Sequence, residues 1–274
     1  MIVRKSSAEL DRMRAANAVV ASVLGELRKL VAPGVSTQHL DAVAERQVHD
    51  AGAVPAFKGY HGYPATLCAS VNEAVVHGIP SETPLVAGDI VSLDVGVVLD
   101  GFYGDSAITV PVGQIPERAA ELLRVTHESL DLGIEQVRVG GHVSDIGHAV
   151  QKHVEANGFA VVREFVGHGI GTELHEEPQI PNYGKPGRGP ELETGMVFAI
   201  EPMVTMGRPA VRVLGDRWTA VTQDGSLAAH FEHTVVVTEV GPEVLTQIAG
   251  SDTVAAAGRA GDVLVGEPAS LPRG

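Results

Sequence analysis

Ile90 to Ser106 reads I-V-S-L-D-V-G-V-V-L-D-G-F-Y-G-D-S. Two β-prone runs flank Asp100-Gly101, a dipeptide suited to the left-handed positions of a type I′ turn, so the segment predicts a tight antiparallel hairpin. With the turn closed there, Leu99 faces Phe102, Gly96 faces Asp105 and Asp94 faces Ala107. Side chains alternate along a strand, which puts Asp94 and Asp105 on one face as diagonal neighbours, their Cα atoms roughly 7–8 Å apart. Two acids on a buried hairpin repel or neutralise unless a cation lies between them. A divalent metal satisfies both. The alternative, Asp94 capping a turn and Asp105 in solvent, stays open on the hairpin alone.

Outward from the hairpin the chain reads as two similar halves. Ser6-x-x-Glu9 is a capping box, and Leu10, Met13, Val20, Val23, Leu24, Leu27 and Val31 recur at helical spacing until Pro33-Gly34. A second helix is expected from Ser36 to Gly52, with Leu40, Val43, Ala44 and Val48 on one face. The pattern restarts at Pro116, with a helix towards Val139, a Gly140-Gly141 break, and a helix from Ser144 to Asn157-Gly158. Setting Gly34 on Gly140 brings Leu40 to Ile146, Ala44 to Val150, Val48 to Val154 and Gly52 to Gly158. The repeat implies a duplicated α+β unit, chance coincidence of glycine stops being the other reading. Second-half strands are expected at 161–171, 196–204, 218–222 and 230–238, and proline-rich Pro178–Pro190 as an irregular loop. Residues 1–248 are expected to form one folded domain, and 249–274, rich in Ala, Gly, Ser and Pro, a disordered tail.

Composition narrows the classes. With 274 residues, 44% hydrophobic, the chain can bury a sizeable core, which aliphatic side chains must fill because aromatics make up only 4%. A net charge of −14 without a basic stripe argues against nucleic-acid backbone binding as the main function. The single cysteine, Cys68, excludes an internal disulfide and fits a reducing compartment. Neither a signal peptide nor a long apolar span is present in the sequence, so a cytoplasmic protein without membrane attachment is expected.

Three further segments hold metal-competent side chains. His168 lies in Gly-His-Gly-Ile-Gly, where a lone histidine is more often structural; Glu201 follows M-V-F-A-I and precedes Pro202; Glu232 sits within a β-prone run. Four acids and an imidazole on strands of one apolar domain need cations, and oxygen-rich ligation with one nitrogen suits Mn, Fe, Co or Zn. Four carboxylates can hold two ions. A single metal with three ligands is the runner-up from spacing.

These residues and their contexts resemble the methionine aminopeptidases, pita-bread metallopeptidases, over roughly residues 8–247. The motifs are N-E-x-V-x-H-G-I-P (72–80), L-D-V-x-x-x-x-D-G-F-x-G-D (93–105), G-H-G-I-G (167–171), H-E-E-P (175–178), F-x-I-E-P-M (198–203) and E-H-T (232–234). The resemblance implies a pita-bread fold, two pseudo-symmetric α+β halves around an antiparallel sheet with helices outside. It implies two divalent ions (Co, Mn, Fe or Zn) on Asp94, Asp105, His168, Glu201 and Glu232, with Asp105 and Glu232 bridging. It further implies Glu201 as proton acceptor, His175 at the oxyanion and His77 near the scissile nitrogen. Tyr60, Tyr63, Cys68 and Trp218 match the pocket for a methionine side chain, where sulfur–aromatic contacts favour a thioether.

The short interval between Glu201 and Glu232 leaves no room for the helical insertion of the type II enzymes, so the type I, bacterial-like form matches better. The expected substrates are N-termini of nascent chains with a small second residue, acted on by a monomer in transient contact with the ribosome. Three positions depart from the family pattern: Phe57, where a smaller residue is common, Leu174, where an aromatic is usual, and His230, where a glutamine is expected. An Xaa-Pro peptidase and a non-catalytic pita-bread binding protein are the alternatives. The first usually has a large N-terminal domain and the second has lost metal ligands.

Overall fold

The computed structural model describes residues 2–248. The expected tail, 249–274, lies outside them. Helix α1 (Ser7–Leu30) starts at the capping box, where the Ser6 amide donates to Glu9 Oε2 at 2.7 Å and Ser6 Oγ accepts from the Glu9 amide at 3.4 Å. Helix α2 (Thr37–Asp50) starts where Ser36 Oγ accepts from the His39 amide at 3.2 Å. Short strands β1 (Val54–Pro55), β2 (Leu67–Val71) and β3 (Ala74–Val76) lead to the hairpin of β4 (Ile90–Leu99) and β5 (Phe102–Pro111).

The hairpin has the register derived above: Leu99 opposite Phe102, Gly96 opposite Asp105, Asp94 opposite Ala107. Asp100 and Gly101 take φ of 49° and 79°, the left-handed pair a type I′ turn requires. Strands β1 and β2 pair antiparallel with β4, and α1 lies across β4 and β5. Leu24, Leu27, Leu40, Val43, Leu67, Leu93 and Val95 pack there as the first half's core.

The second half repeats the plan with α3 (Glu117–Ile134) and α4 (Val143–Ala156). The aligned glycines share their backbone conformation: φ is 92° at Gly34 and 83° at Gly140, 72° at Gly52 and 73° at Gly158. Each is a left-handed stop that glycine takes without steric cost. The third helix is shorter than its apolar spacing suggests, ending at Ile134 rather than near Val139, with turns from Glu135 on.

The second half's strands are more broken than expected. The run 161–171 splits into β6 (Ala160–Val161) and β7 (Gly167–Gly169), and part of the expected loop, through Ile180, is strand β8 (Glu176–Ile180). The run 196–204 splits into β9 (Val197–Ile200) and β10 (Met203–Thr205), because Pro202 has no amide to donate. Beyond β11 (Val211–Val213) and β12 (Ala220–Thr222), the run 230–238 splits into β13 (Ala228–His230) and β14 (His233–Thr238), followed by β15 (Gly241–Val244). A five-stranded antiparallel sheet in the order β15-β14-β9-β7-β8 backs the second core of α3 and α4, which includes Leu122, Leu130, Ile146, Phe198 and Ile200.

The two halves are joined at the hairpin. The Glu232 amide donates to the Ala107 carbonyl at 2.9 Å, Ser106 Oγ donates to the Glu232 carbonyl at 2.5 Å, and Thr234 Oγ1 donates to the Asp105 carbonyl at 2.8 Å. This seam puts residues 105 and 232 side by side. Among the described residues no helix is long and apolar enough to cross a membrane.

Candidate metal centre

Each half sends acids to the seam. Asp94 and Asp105 come from the hairpin, while Glu201 and Glu232 occupy the two strand breaks of the second half. A break serves a ligand: with Pro202 next in the chain, the Glu201 carbonyl leaves the ladder and accepts instead from Asn182 Nδ2 at 3.0 Å. The Glu201 carboxylate is thereby free to turn into the cavity. His168 comes from β7, whose flanking glycines are dictated by space. A Cβ on Gly167 would stand 2.3 Å from the Ala199 carbonyl oxygen, and one on Gly169 2.2 Å from that of Glu177. Any larger residue would push β7 off its neighbours.

One cavity of about 150 Å³ is lined by every residue singled out from the sequence: Asp94, Asp105, His168, Glu201, Glu232, His77, His175, Tyr60, Tyr63, Cys68 and Trp218. Phe57 and Leu174, two of the three departures, line it as well. Ligand atoms of Asp105, His168 and Glu232 lie within 4.8 Å of one another. Asp94 Oδ1, Asp105 Oδ1 and Glu232 Oε1 are buried without a hydrogen-bond partner. Asp94 opens part of its surface to the cavity, yet this oxygen is shut off from solvent.

Such orphaned carboxylate oxygens are costly in a protein interior unless a cation takes them. Burial pushes Asp94 up to about 7 and Glu201 up to about 8. Burial first, and then the neighbouring carboxylates, push Asp105 and Glu232 well above the usual range. Without a counter-charge these carboxyls therefore keep their protons to higher pH than usual. Four hard oxygen donors and one imidazole fit divalent Mn, Fe, Co or Zn.

His168 is set up as a nitrogen donor. Its Nδ1–H donates to the Gly169 carbonyl at 2.9 Å, so the Nε2 lone pair faces the cage, 3.6 Å from Glu201 Oε1. Burial, with help from the adjacent His175, pushes its pKa down to about 3 and keeps it neutral.

The two remaining histidines stand beside the cage. His175 Nδ1 is 2.7 Å from Tyr60 Oη, and its ring meets the His168 ring edge-on at 4.4 Å. His77 has φ of 60°, a left-handed conformation unusual for a side chain of its size, and its ring packs edge-on against Phe165 at 5.4 Å. Burial, then the neighbouring His230 and His175, push its pKa down to about 4. Tyr63 Oη is engaged with the Gly78 and Leu67 carbonyls at 2.9 and 3.1 Å, which makes this ring a fixed wall rather than a hydroxyl free for a ligand. It meets Trp218 edge-on at 5.1 Å, with Cys68 buried beside it.

Phe165 and the ring of His61 against Tyr60 (4.4 Å) complete the surroundings, and sequence reasoning passed over both. The only local signal for His61 was its place in Gly-Tyr-His-Gly, where Gly59, His61 and Gly62 all take left-handed φ and fold Tyr60 inward.

The family model for metallopeptidase family M24 matches residues 11–239. Methionine aminopeptidase 1 of Bacillus subtilis is 51% identical over 248 residues, which cover 90% of this chain and 100% of that protein. The crystal structure of a methionine aminopeptidase from Thermotoga maritima superposes with a TM-score of 0.89 at 49% identity, covering 90% of this chain and 100% of that one. A prolidase from Pyrococcus furiosus, at 22% identity and a TM-score of 0.72, shares the fold, with 65% of its length covered. The architecture is thus the expected pita-bread fold.

Proposed function

This chain belongs to metallopeptidase family M24, and we infer from its cage and cavity that it is a metal-dependent aminopeptidase that removes methionine from the N-termini of nascent chains and peptides. The observation that carries the reading is the meeting of five ligand-type side chains, two neutral histidines and an apolar wall in one cavity. Residues 1–248 form the catalytic domain. Asp94, Asp105, His168, Glu201 and Glu232 would hold two divalent ions. When bound, the ions supply an activated water and polarise the scissile carbonyl.

The chain's own side chains do the rest. Glu201, beside His168, takes the proton of the attacking water and returns it to the departing amine. Tyr60 donates its hydroxyl to His175 Nδ1, which leaves Nε2–H of His175 as the donor for the oxyanion. His77, kept neutral by burial, hydrogen-bonds near the scissile nitrogen.

Tyr63, Cys68, Trp218, Phe57 and Leu174 enclose the side chain of the first residue. The whole cavity, its carboxylate side included, measures about 150 Å³, and the aromatic and sulfur-bearing side of its wall suits an unbranched thioether. A small second substrate residue is the preference expected of this site, beside the paired Tyr60 and His175.

Protein loaded with Mn, Co or Fe, assayed on Met-Ala-Ser against Ala-Pro-Ala, tests the reading. Release of methionine from the first peptide is expected. Cleavage of the proline peptide alone, or of neither under any metal, would refute it.

A further inference from the structure

Beside the carboxylate cage lies another orphaned polar atom. His230 is 2% exposed, and its Nε2 is buried without a hydrogen-bond partner. Unlike Asp94, Asp105 and Glu232, it does not line the cavity. Its backbone is firmly held: the amide donates to Thr109 Oγ1 at 2.9 Å, Thr109 Oγ1 donates to the His230 carbonyl at 2.7 Å, and Ser92 Oγ lies 2.8 Å from the same hydroxyl. The β10–β13 register sets His230 opposite Met203, two residues after Glu201.

Two imidazoles therefore flank the Glu201 carboxylate, His168 Nε2 at 3.6 Å from Oε1 and His230 Nε2 at 3.6 Å from Oε2. The two gaps differ in chemistry. His168 spends its proton on the Gly169 carbonyl, so with Glu201 ionised its Nε2 and Oε1 are both acceptors and a cation is needed to join them. Among the described residues nothing hydrogen-bonds His230 Nδ1, so His230 is free to carry its proton on Nε2. A turn of the carboxylate that closes the gap by roughly half an ångström brings it into hydrogen-bond range.

We propose that His230 is a positioning residue for Glu201: its Nε2–H holds Oε2 on the side away from the cavity and so aims Oε1 at the ion it shares with His168. The inference rests on the ligand reading of Glu201 given above.

His230→Leu and His230→Gln, compared with the parent, test it by Mn(II) calorimetry, nitrogen couplings in the Mn(II) electron-spin-echo spectrum, and kcat and KM on Met-Ala-Ser. Leucine is expected to weaken Mn(II) binding and lower kcat about 10- to 100-fold with KM little changed. Glutamine, a neutral donor of similar reach, is expected to restore both, with the nitrogen couplings unchanged throughout. Parent-like Mn(II) affinity and kcat in His230→Leu would overturn the proposal. Loss of a nitrogen coupling in His230→Gln would overturn it too, by making His230 a ligand. A parent protein that binds no Mn(II) would overturn both this proposal and the ligand reading beneath it.

Discussion

Lys5→Met tests how the turn that presents Leu174 and His175 is held. Lys5 Nζ lies 2.5 Å from Glu176 Oε2, with side-chain exposures of 2% and 11%. The lysine stem crosses Gly171 so closely that a Cβ there would stand 2.3 Å from Lys5 Cε. Glu176 Oε1 accepts from the Thr172 amide at 2.8 Å, so one carboxylate ties the N-terminal segment to the turn. Methionine keeps the stem's volume and removes the charge, leaving the largely enclosed Glu176 carboxylate without its cation.

Breaking a buried pair from one side costs about 3–5 kcal/mol. For a chain of this size that is a fall in Tm of roughly 6–20 °C. The double variant Lys5→Met/Glu176→Gln has no orphaned charge and keeps the acceptor for Thr172. It should recover most of the loss, and with it kcat/KM on a methionyl peptide. Calorimetric unfolding of the metal-loaded parent, single and double variants provides the measurement. A single variant within about 1 kcal/mol of the parent would refute the reasoning. So would a double variant no more stable than the single one.

Asp105→Asn should abolish activity and the second equivalent of bound metal in elemental analysis while most of the helical circular dichroism remains, because the side chain lies at the seam and outside both helical cores. In metal-free protein, Asp94 (about 7) and Glu201 (about 8) keep protons that the unfolded chain releases near pH 4, so their stability contribution is lost as pH rises through those values. His77 and His233, both held down to about 4, lose theirs only below pH 6.5. Between pH 6.5 and 8, Tm without metal should therefore fall, and the Tm gain on adding Mn(II) should grow, because ions displace those protons; differential scanning calorimetry at the two pH values reads both. Tyr60→Phe removes the donor to His175 Nδ1 and should lower kcat/KM about tenfold without altering metal content, measured by steady-state kinetics and elemental analysis.

The features legible in the sequence are those with a local cause. A two-residue Asp-Gly turn admits one register, so the shared face of Asp94 and Asp105 followed from the hairpin alone. The capping box at Ser6 and the glycine stops at Gly34, Gly52, Gly140 and Gly158 marked helix ends because cap and left-handed φ are properties of a few adjacent residues. The breaks at Glu201-Pro202 and Phe231-Glu232 read in the sequence as continuous strand, since β-prone residues continue on both sides of them. What interrupts the second is the Ala107 carbonyl taking the Glu232 amide from the other half of the chain.

By itself, then, the sequence determined which residue types could form a metal cage and, on the hairpin, how two of them face. Its motifs carried the resemblance that supplied the rest of the ligand set. Only the tertiary structure decided that the two halves meet edge to edge at residues 105 and 232, that Lys5 reaches Glu176, and that His230 stands behind Glu201 with an unpaired nitrogen. Those contacts join positions far apart along the chain. No local periodicity or turn chemistry encodes them, and they exist only once both cores have packed.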